Sequence, residues 1–288
     1  MEPLKRSDLK YIAAVIAFAT MVLVASGLVF AERAIHEIKT RPNVRVKILL
    51  HTPDNEPKGT LLLFPGSYGS GHFGEKDGVI KLGSNFLVRS SRLFVEKGFS
   101  IAIIDVPSDN SRGISDAFRR SAEHAFDIKA VLEFLKKKIP GPVYFVGTSR
   151  GTISAAYLAA EINDPILKGL VLTSTMGGRM HAGGVSLEKI RVPVLFVHHR
   201  QDGCEVSSIS DAYEMKKRIS ASPRVDFVEV DGGSSSEDAH KSGKKAGRSG
   251  SNPCSAGTHH GFLGIEGKVV DIITDWISGK PVPQKPRE

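Results

Sequence analysis

From Val44 onward, short apolar runs alternate with longer stretches that carry a helical period. Val44-Arg45-Val46-Lys47-Ile48-Leu49-Leu50 alternates in the manner of an antiparallel edge strand. Asp54-Asn55-Glu56-Pro57-Lys58-Gly59 reads as a turn, and Thr60 to Phe64 as a buried strand. Further strands are expected at Ser100–Val106, Val143–Val146, Leu167–Thr173, Val192–His198 and Arg224–Val230. Between them, helices are expected over Phe86–Lys97, Ser121–Lys138, Asp211–Ile219 and Ile265–Ser278. In the second of these Ala122, Phe126, Leu132 and Leu135 share a face, and in the last Val269, Ile272, Ile273, Trp276 and Ile277 form one stripe. Strands alternating with helices predict an α/β fold with a mostly parallel central sheet covered on both faces.

Two long connections interrupt this order. Residues 66–85 are rich in glycine and polar residues, and residues 231–259 in glycine, serine and lysine. Loops of that length in compact domains point to function or disorder. The stretch between Thr175 and Ile190 is too short for a large lid domain, and no internal repeat is present.

The N-terminus follows a different pattern. Lys5, Arg6 and Lys10 precede 21 uncharged residues, Tyr11 to Ala31, which end in Val29-Phe30-Ala31. This reads as a secretory signal peptide cleaved after Ala31, or as an uncleaved membrane anchor, since the apolar stretch is long enough to span a bilayer. Either reading exports the domain, to the periplasm or to the outer side of a membrane. The expected organisation is a signal or anchor over 1–31, a polar linker over 32–43, one domain over 44–280 and a disordered Pro/Lys tail over 281–288.

The 288 residues carry a net charge of +8, but the positives sit in Lys136-Lys137-Lys138, in His240–Arg248 and in the tail, with no nucleic-acid-binding motif beside them. A solvated surface is therefore expected and no nucleic-acid partner. Membrane association through residues 11–31 is compatible with the pattern.

Val143 to Gly151 reads VYFVGTSRG, an apolar strand running into Gly147-Thr148-Ser149-Arg150-Gly151. The small-residue helix Thr152–Ala160 follows. This is the strand–turn–helix setting of a G-x-S-x-G nucleophile elbow, in which the serine's turn is too tight for side chains two positions either side.

With that motif, the chain resembles the α/β-hydrolase superfamily over roughly Val44 to Ser278. More locally it resembles exported bacterial α/β hydrolases in Asn85–Ser90, Asp105-Val106-Pro107-Ser108-Asp109, Asp202-Gly203-Cys204 and Cys254…His260-Gly261-Phe262. The resemblance implies a triad in the chain order serine, acid, histidine. Ser149 would be the nucleophile. Asp202, directly after the Val192–His198 strand, would be the acid, with Glu205 and Asp231 as alternatives. The base would come from Thr258-His259-His260-Gly261-Phe262, with His260 favoured over its neighbour His259. The oxyanion hole would take the N–H of Arg150 and a second donor from Pro65-Gly66-Ser67-Tyr68-Gly69, where the family's usual histidine is missing. Ser67 is the choice for that donor, with Gly66 and Tyr68 against the substrate.

An even pair of cysteines in an exported protein suggests a disulfide. Cys204 lies just beyond the proposed acid and Cys254 just before the proposed base, so a triad would draw the two together.

The reaction expected is cleavage of a carboxylic ester or thioester of a small acyl substrate through an acyl-enzyme, without cofactor and without metal. The alternatives are a serine peptidase or amidase, and a non-catalytic exported binding protein on the same scaffold.

Overall fold

The computed structural model describes residues 32–178, 184–234 and 252–283. The 1–31 signal or anchor, most of the glycine/serine/lysine connection and the 284–288 tail lie outside them. No helix among the described residues is long and apolar enough to cross a membrane.

Among the described residues there are ten strands: β1 (Arg33–Arg41), β2 (Val44–His51), β3 (Thr60–Phe64), β4 (Gly74–Lys76), β5 (Val79–Lys81), β6 (Ser100–Pro107), β7 (Val143–Thr148), β8 (Leu167–Thr173), β9 (Val194–His199) and β10 (Val225–Val230). Eight form one sheet in the order β1-β2-β6-β3-β7-β8-β9-β10, and β4 and β5 make a separate hairpin. From β6 to β10 all pairings are parallel, whereas β1–β2 and β2–β6 are antiparallel. The helices are α1 (Phe86–Arg89), α2 (Ser91–Glu96), α3 (Ala122–Lys138), α4 (Gly151–Glu161), α5 (Ile209–Arg218) and α6 (Glu266–Ile277).

Period-two alternation divides each strand between two cores. Leu62, Ile48, Leu50, Leu170, Leu172 and Phe196 face the layer holding Ile128, Val131, Ala155, Leu158 and Met215 of α3, α4 and α5. Leu61, Leu63, Leu49, Val171, Leu195 and Val197 face Phe86, Phe94, Val269, Ile273 and Trp276 of α1, α2 and α6. Burial on both faces explains why the central strands read as unbroken apolar runs.

Three expectations need correction. The linker over 32–43 is largely strand β1, paired with β2 from Arg33↔His51 to Arg41↔Val44. Its polar composition fits a sheet edge, and β2 is therefore an inner strand. The expected Phe86–Lys97 helix is two short helices that meet at Ser90, which caps the first and opens the second. In α3 the buried stripe is His124, Ala125, Ile128, Val131, Leu132 and Leu135, whereas Phe126 is 61% exposed. Ser121 caps α3 by accepting from the His124 N–H at 3.2 Å, which sets a start that turns Phe126 outward.

Leu62 is fully buried in β3, between β6 and β7. Leu62→Ala should lower unfolding free energy by about 2–5 kcal/mol in urea titrations, because a central-strand cavity cannot collapse.

Candidate active site

The sheet's carboxyl edge gathers the turns after β3, β7, β8 and β9. Openings at that edge are where parallel α/β sheets bind ligands. Ser149 follows β7 with φ of 52°, a left-handed conformation that a serine adopts only when its surroundings impose it. The surroundings are backbone. A Cβ on Gly147 would lie 2.7 Å from the Gly151 carbonyl oxygen, and one on Gly151 would lie 2.0 Å from that of Phe64. The start of α4 therefore touches the end of β3 at Gly151 and the end of β7 at Gly147, and a side chain at either glycine would force one of these contacts apart.

The turn after β3 passes over the serine. A Cβ on Gly66 would sit 2.8 Å from Ser149 Cβ and 3.4 Å from Oγ. The Gly69 N–H donates to the Gly66 carbonyl at 2.9 Å, and Ser67 has φ of 51°. Among the described residues, the N–H groups of Ser67, Tyr68 and Arg150 meet no acceptor, while that of Ser149 donates to the Thr173 carbonyl. Tyr68 is 63% exposed beside them.

Asp202 and His260 are brought together. His260 Nδ1 donates to Asp202 Oδ2 at 2.9 Å, and both side chains are almost completely buried. The carboxylate is held on both oxygens: the Cys204 N–H donates to Oδ1 at 2.9 Å, and the Ser207 hydroxyl donates to Oδ2 at 3.0 Å. With Nδ1 carrying the proton, Nε2 of His260 is the basic nitrogen, and it is buried with no hydrogen-bond partner among the described residues. Ser149 Oγ does not bond to it and faces Met176 Sδ at 4.0 Å.

The neighbouring candidates are engaged elsewhere. His259 stacks on His199 with ring centroids 4.4 Å apart. Asp231 pairs with Arg200 at 3.2 Å and with Lys268, and Glu205 is exposed on a short 3₁₀ turn.

The histidine turn is braced from three sides. Ser174 Oγ donates to the His260 carbonyl at 2.7 Å. Arg89 of α1 donates to the Gly261 carbonyl and pairs with Glu266 at 2.9 Å. Phe86 packs on Phe262, with ring centroids 4.9 Å apart. A further brace is covalent: a disulfide joins Cys204 and Cys254, with Cα atoms 4.6 Å apart. Asp202, Cys204 and His260 offer ligand atoms within 4.8 Å of one another, but the sulfur is bonded to Cys254, which leaves two protein donors for any metal.

Ser207, Ser174, Met176 and Arg119 have no motif in the sequence, and Arg89 lies within the Asn85–Ser90 segment, which assigns it no role. Arg119 is almost fully buried behind the turn after β3, where it donates to the Ser67 carbonyl at 3.0 Å and to Ser154 Oγ at 3.1 Å. Burial pushes its guanidinium down to about 10, with Asp116 opposing that shift and Arg150 adding to it, so it stays charged at neutral pH. The larger clefts, of about 660 and 430 Å³, are lined by residues such as Pro53, Gly98, Lys58 and Phe99. These precede β3 and β6, at the amino ends of the parallel strands and away from Ser149.

Two buried imidazoles set a pH limit. Burial, helped by the charges of Arg119 and Arg41, pushes His124 down to about 3, and burial pushes His198 down to about 4, against 6.5 for both. Between about pH 6.5 and 4 the unfolded chain holds the extra protons, so stability is full above 6.5 and falls as the pH drops towards 4. The slope should reach about 1.4 kcal/mol per pH unit for each imidazole. Urea midpoints from pH 7.5 to 4.5 would measure it, and His124→Gln should flatten it.

No family model and no curated protein sequence matches this chain. Solved structures do. A protein of unknown function from Agrobacterium tumefaciens, assigned to the α/β hydrolases, superposes with a TM-score of 0.59 at 14% identity, over 88% of this chain and 100% of that one. An α/β serine hydrolase homologue from Coxiella burnetii gives 0.51 at 18% identity, over 72% and 90%. An esterase from Pyrococcus furiosus gives 0.51 at 16%, over 70% and 82%. With a mostly parallel eight-stranded sheet, helices on both faces and these likenesses, the chain has the α/β-hydrolase fold.

Proposed function

We propose that this protein is a serine hydrolase that cleaves a carboxylic ester or thioester of a small acyl substrate, using Ser149, His260 and Asp202. The observation that carries the reading is the state of His260: Nδ1 is bound to a doubly held carboxylate, and Nε2 lies buried and unclaimed.

The reaction begins when the Ser149 hydroxyl turns from Met176 towards Nε2. Oγ attacks the acyl carbonyl while Nε2 takes the hydroxyl proton, and Asp202 stabilises the imidazolium. Negative charge develops on the carbonyl oxygen, where the N–H groups of Arg150 and Ser67 are available to receive it. The tetrahedral intermediate collapses, the C–O or C–S bond breaks, and the alcohol or thiol leaves with the proton from Nε2. Water then gives its proton to Nε2, its oxygen attacks the acyl-serine, and the carboxylic acid departs as Ser149 regains a proton. Every proton is returned and no redox partner is needed. Fold neighbours that include an esterase support the reading at the level of fold.

Export, with residues 1–31 as a cleaved signal or retained anchor, belongs to the same proposal and agrees with the disulfide. No nucleic-acid partner is proposed. The rival reading, a non-catalytic binding protein, draws on the orientation of Ser149 Oγ towards Met176.

A fluorophosphonate probe decides between the two: it should label Ser149 in the native protein, and an unlabelled, folded protein would favour the rival. Ser149→Ala should lower turnover of an activated ester by several orders of magnitude with the fold intact. His260→Ala should do comparable damage and His259→Ala little, with the reverse order moving the base to His259.

Reduction supplies a separate test. The disulfide closes a chain segment of 50 residues, which stabilises the fold by about 4 kcal/mol in the chain-entropy model. Dithiothreitol should abolish ester turnover at concentrations that leave far-UV circular dichroism unchanged, because the histidine turn is released first.

A further inference from the structure

The turn from Gly66 to Gly69 is shaped in a way its sequence does not favour. Its closing bond runs from the Gly69 N–H to the Gly66 carbonyl, and of its two central residues only Ser67 has a positive φ. That is the pattern of a type II′ turn, whose first central position prefers glycine. Turning it into an ordinary type I turn with a relaxed serine requires rotation about both φ and ψ of Ser67, because turning only the peptide between Ser67 and Tyr68 would leave Ser67 at positive φ. Such a rotation would change the directions of the Ser67 N–H and the Ser67 carbonyl relative to each other.

One group stands against that rotation. Arg119 Nη2 donates to the Ser67 carbonyl at 3.0 Å, so the peptide cannot turn without leaving a buried guanidinium short of an acceptor. The guanidinium itself is fixed. Nη1 is bound to Ser154 of α4, the helix that begins at the elbow, and Nε faces Asp116 Oδ1 at 3.9 Å. The other oxygen of Asp116 accepts from Arg150 Nη2 at 3.1 Å. One carboxylate thus joins the residue that holds Ser67 to the residue after the nucleophile. A cation only 1% exposed is a poor device for stability, since an apolar side chain of that size commonly serves the core as well.

We propose that Arg119 is the positioning residue of the oxyanion hole: it holds the peptide after Ser67 in its strained orientation and so sets the second donor against Ser149. This rests on the hydrolase reading above. Arg119 touches no reacting atom. It acts through the Ser67 peptide and, with Asp116, keeps the two donor residues in register before substrate arrives. An arginine suits the task because its planar fork reaches a carbonyl and a hydroxyl together, which a lysine cannot do.

The test uses Arg119→Met and Arg119→Lys with p-nitrophenyl acetate as substrate and a trifluoromethyl ketone, whose adduct oxygen occupies the oxyanion hole, as inhibitor. Arg119→Met should keep its circular dichroism and its melting temperature within a few degrees. Its kcat should fall about 10- to 100-fold, less than the 10²- to 10³-fold typical of deleting a donor outright. KM should stay within about threefold, because the loss concerns the transition state. Ketone affinity should weaken by the same factor as kcat, and Arg119→Lys should recover part of both. If Arg119→Met fails to fold, Ser154→Ala removes one anchor of the guanidinium, and it should give a smaller loss, about 3- to 10-fold, again shared by kcat and ketone affinity. A folded Arg119→Met with kcat within twofold of the parent, or a loss carried by KM, overturns the proposal. So does an unfolded Arg119→Met combined with an unaffected Ser154→Ala. A parent protein that neither hydrolyses the ester nor takes the fluorophosphonate label overturns the hydrolase reading, and this proposal with it.

Discussion

At the end of β7 three stretches of backbone approach more closely than any methyl group allows, and the rest of the site is arranged around that approach. The first turn of α4 lies on the last residue of β3, where Gly151 supplies the clearance, and Gly147 supplies it where the end of β7 meets the same turn. The helix can then start immediately after the strand, and the residue between them is driven into a left-handed conformation. The same contact brings the turn after β3 over the serine, since Phe64 and Gly66 belong to one short segment. Ser149 and the turn after β3 are thus brought against each other by one steric constraint. That constraint is spread over backbone atoms, so it does not relax when a side chain rotates.

The histidine is placed by the opposite means. It rides on a 3₁₀ turn far from any strand, and its position is the sum of separate attachments: one hydrogen bond to Asp202, one from Ser174 to its carbonyl, Arg89 on the next carbonyl, Phe262 against Phe86, and the disulfide. They come from three different parts of the chain: α1, the residue after β8, and the turn that carries Asp202 and Cys204. Ser149 is therefore the rigid partner and His260 the adjustable one. Met176 and the Ser149 hydroxyl show where the remaining freedom lies, in a side-chain torsion and not in the backbone.

This division also explains what could be read in advance. Strands buried on both faces announce themselves as apolar runs, so β3 and β6 to β10 were legible, and so was the tight turn at Ser149, because a close backbone approach writes glycines into the sequence. Strand β1 was not, since Arg33, His36, Glu37 and Lys39 give an exposed edge the composition of a linker. Phe126 was misplaced because a helical stripe fixes a face only once the start of the helix is known, and Ser121 sets that start. Arg89 and Arg119 act on partners 172 and 52 residues away, and no local pattern encodes such distances.

The bond between Cys204 and Cys254 has one more consequence, and it concerns damage. Asp202 lies just before the first cysteine, and His260 and α6 lie just beyond the second. A protease that cuts the main chain anywhere between the two opens the covalent ring without dividing the molecule. Both fragments stay joined through sulfur, and the Asp202–His260 bond does not run through the severed peptide. In an environment rich in proteases, the chain can thus be nicked across almost a fifth of its length and still keep its two halves together.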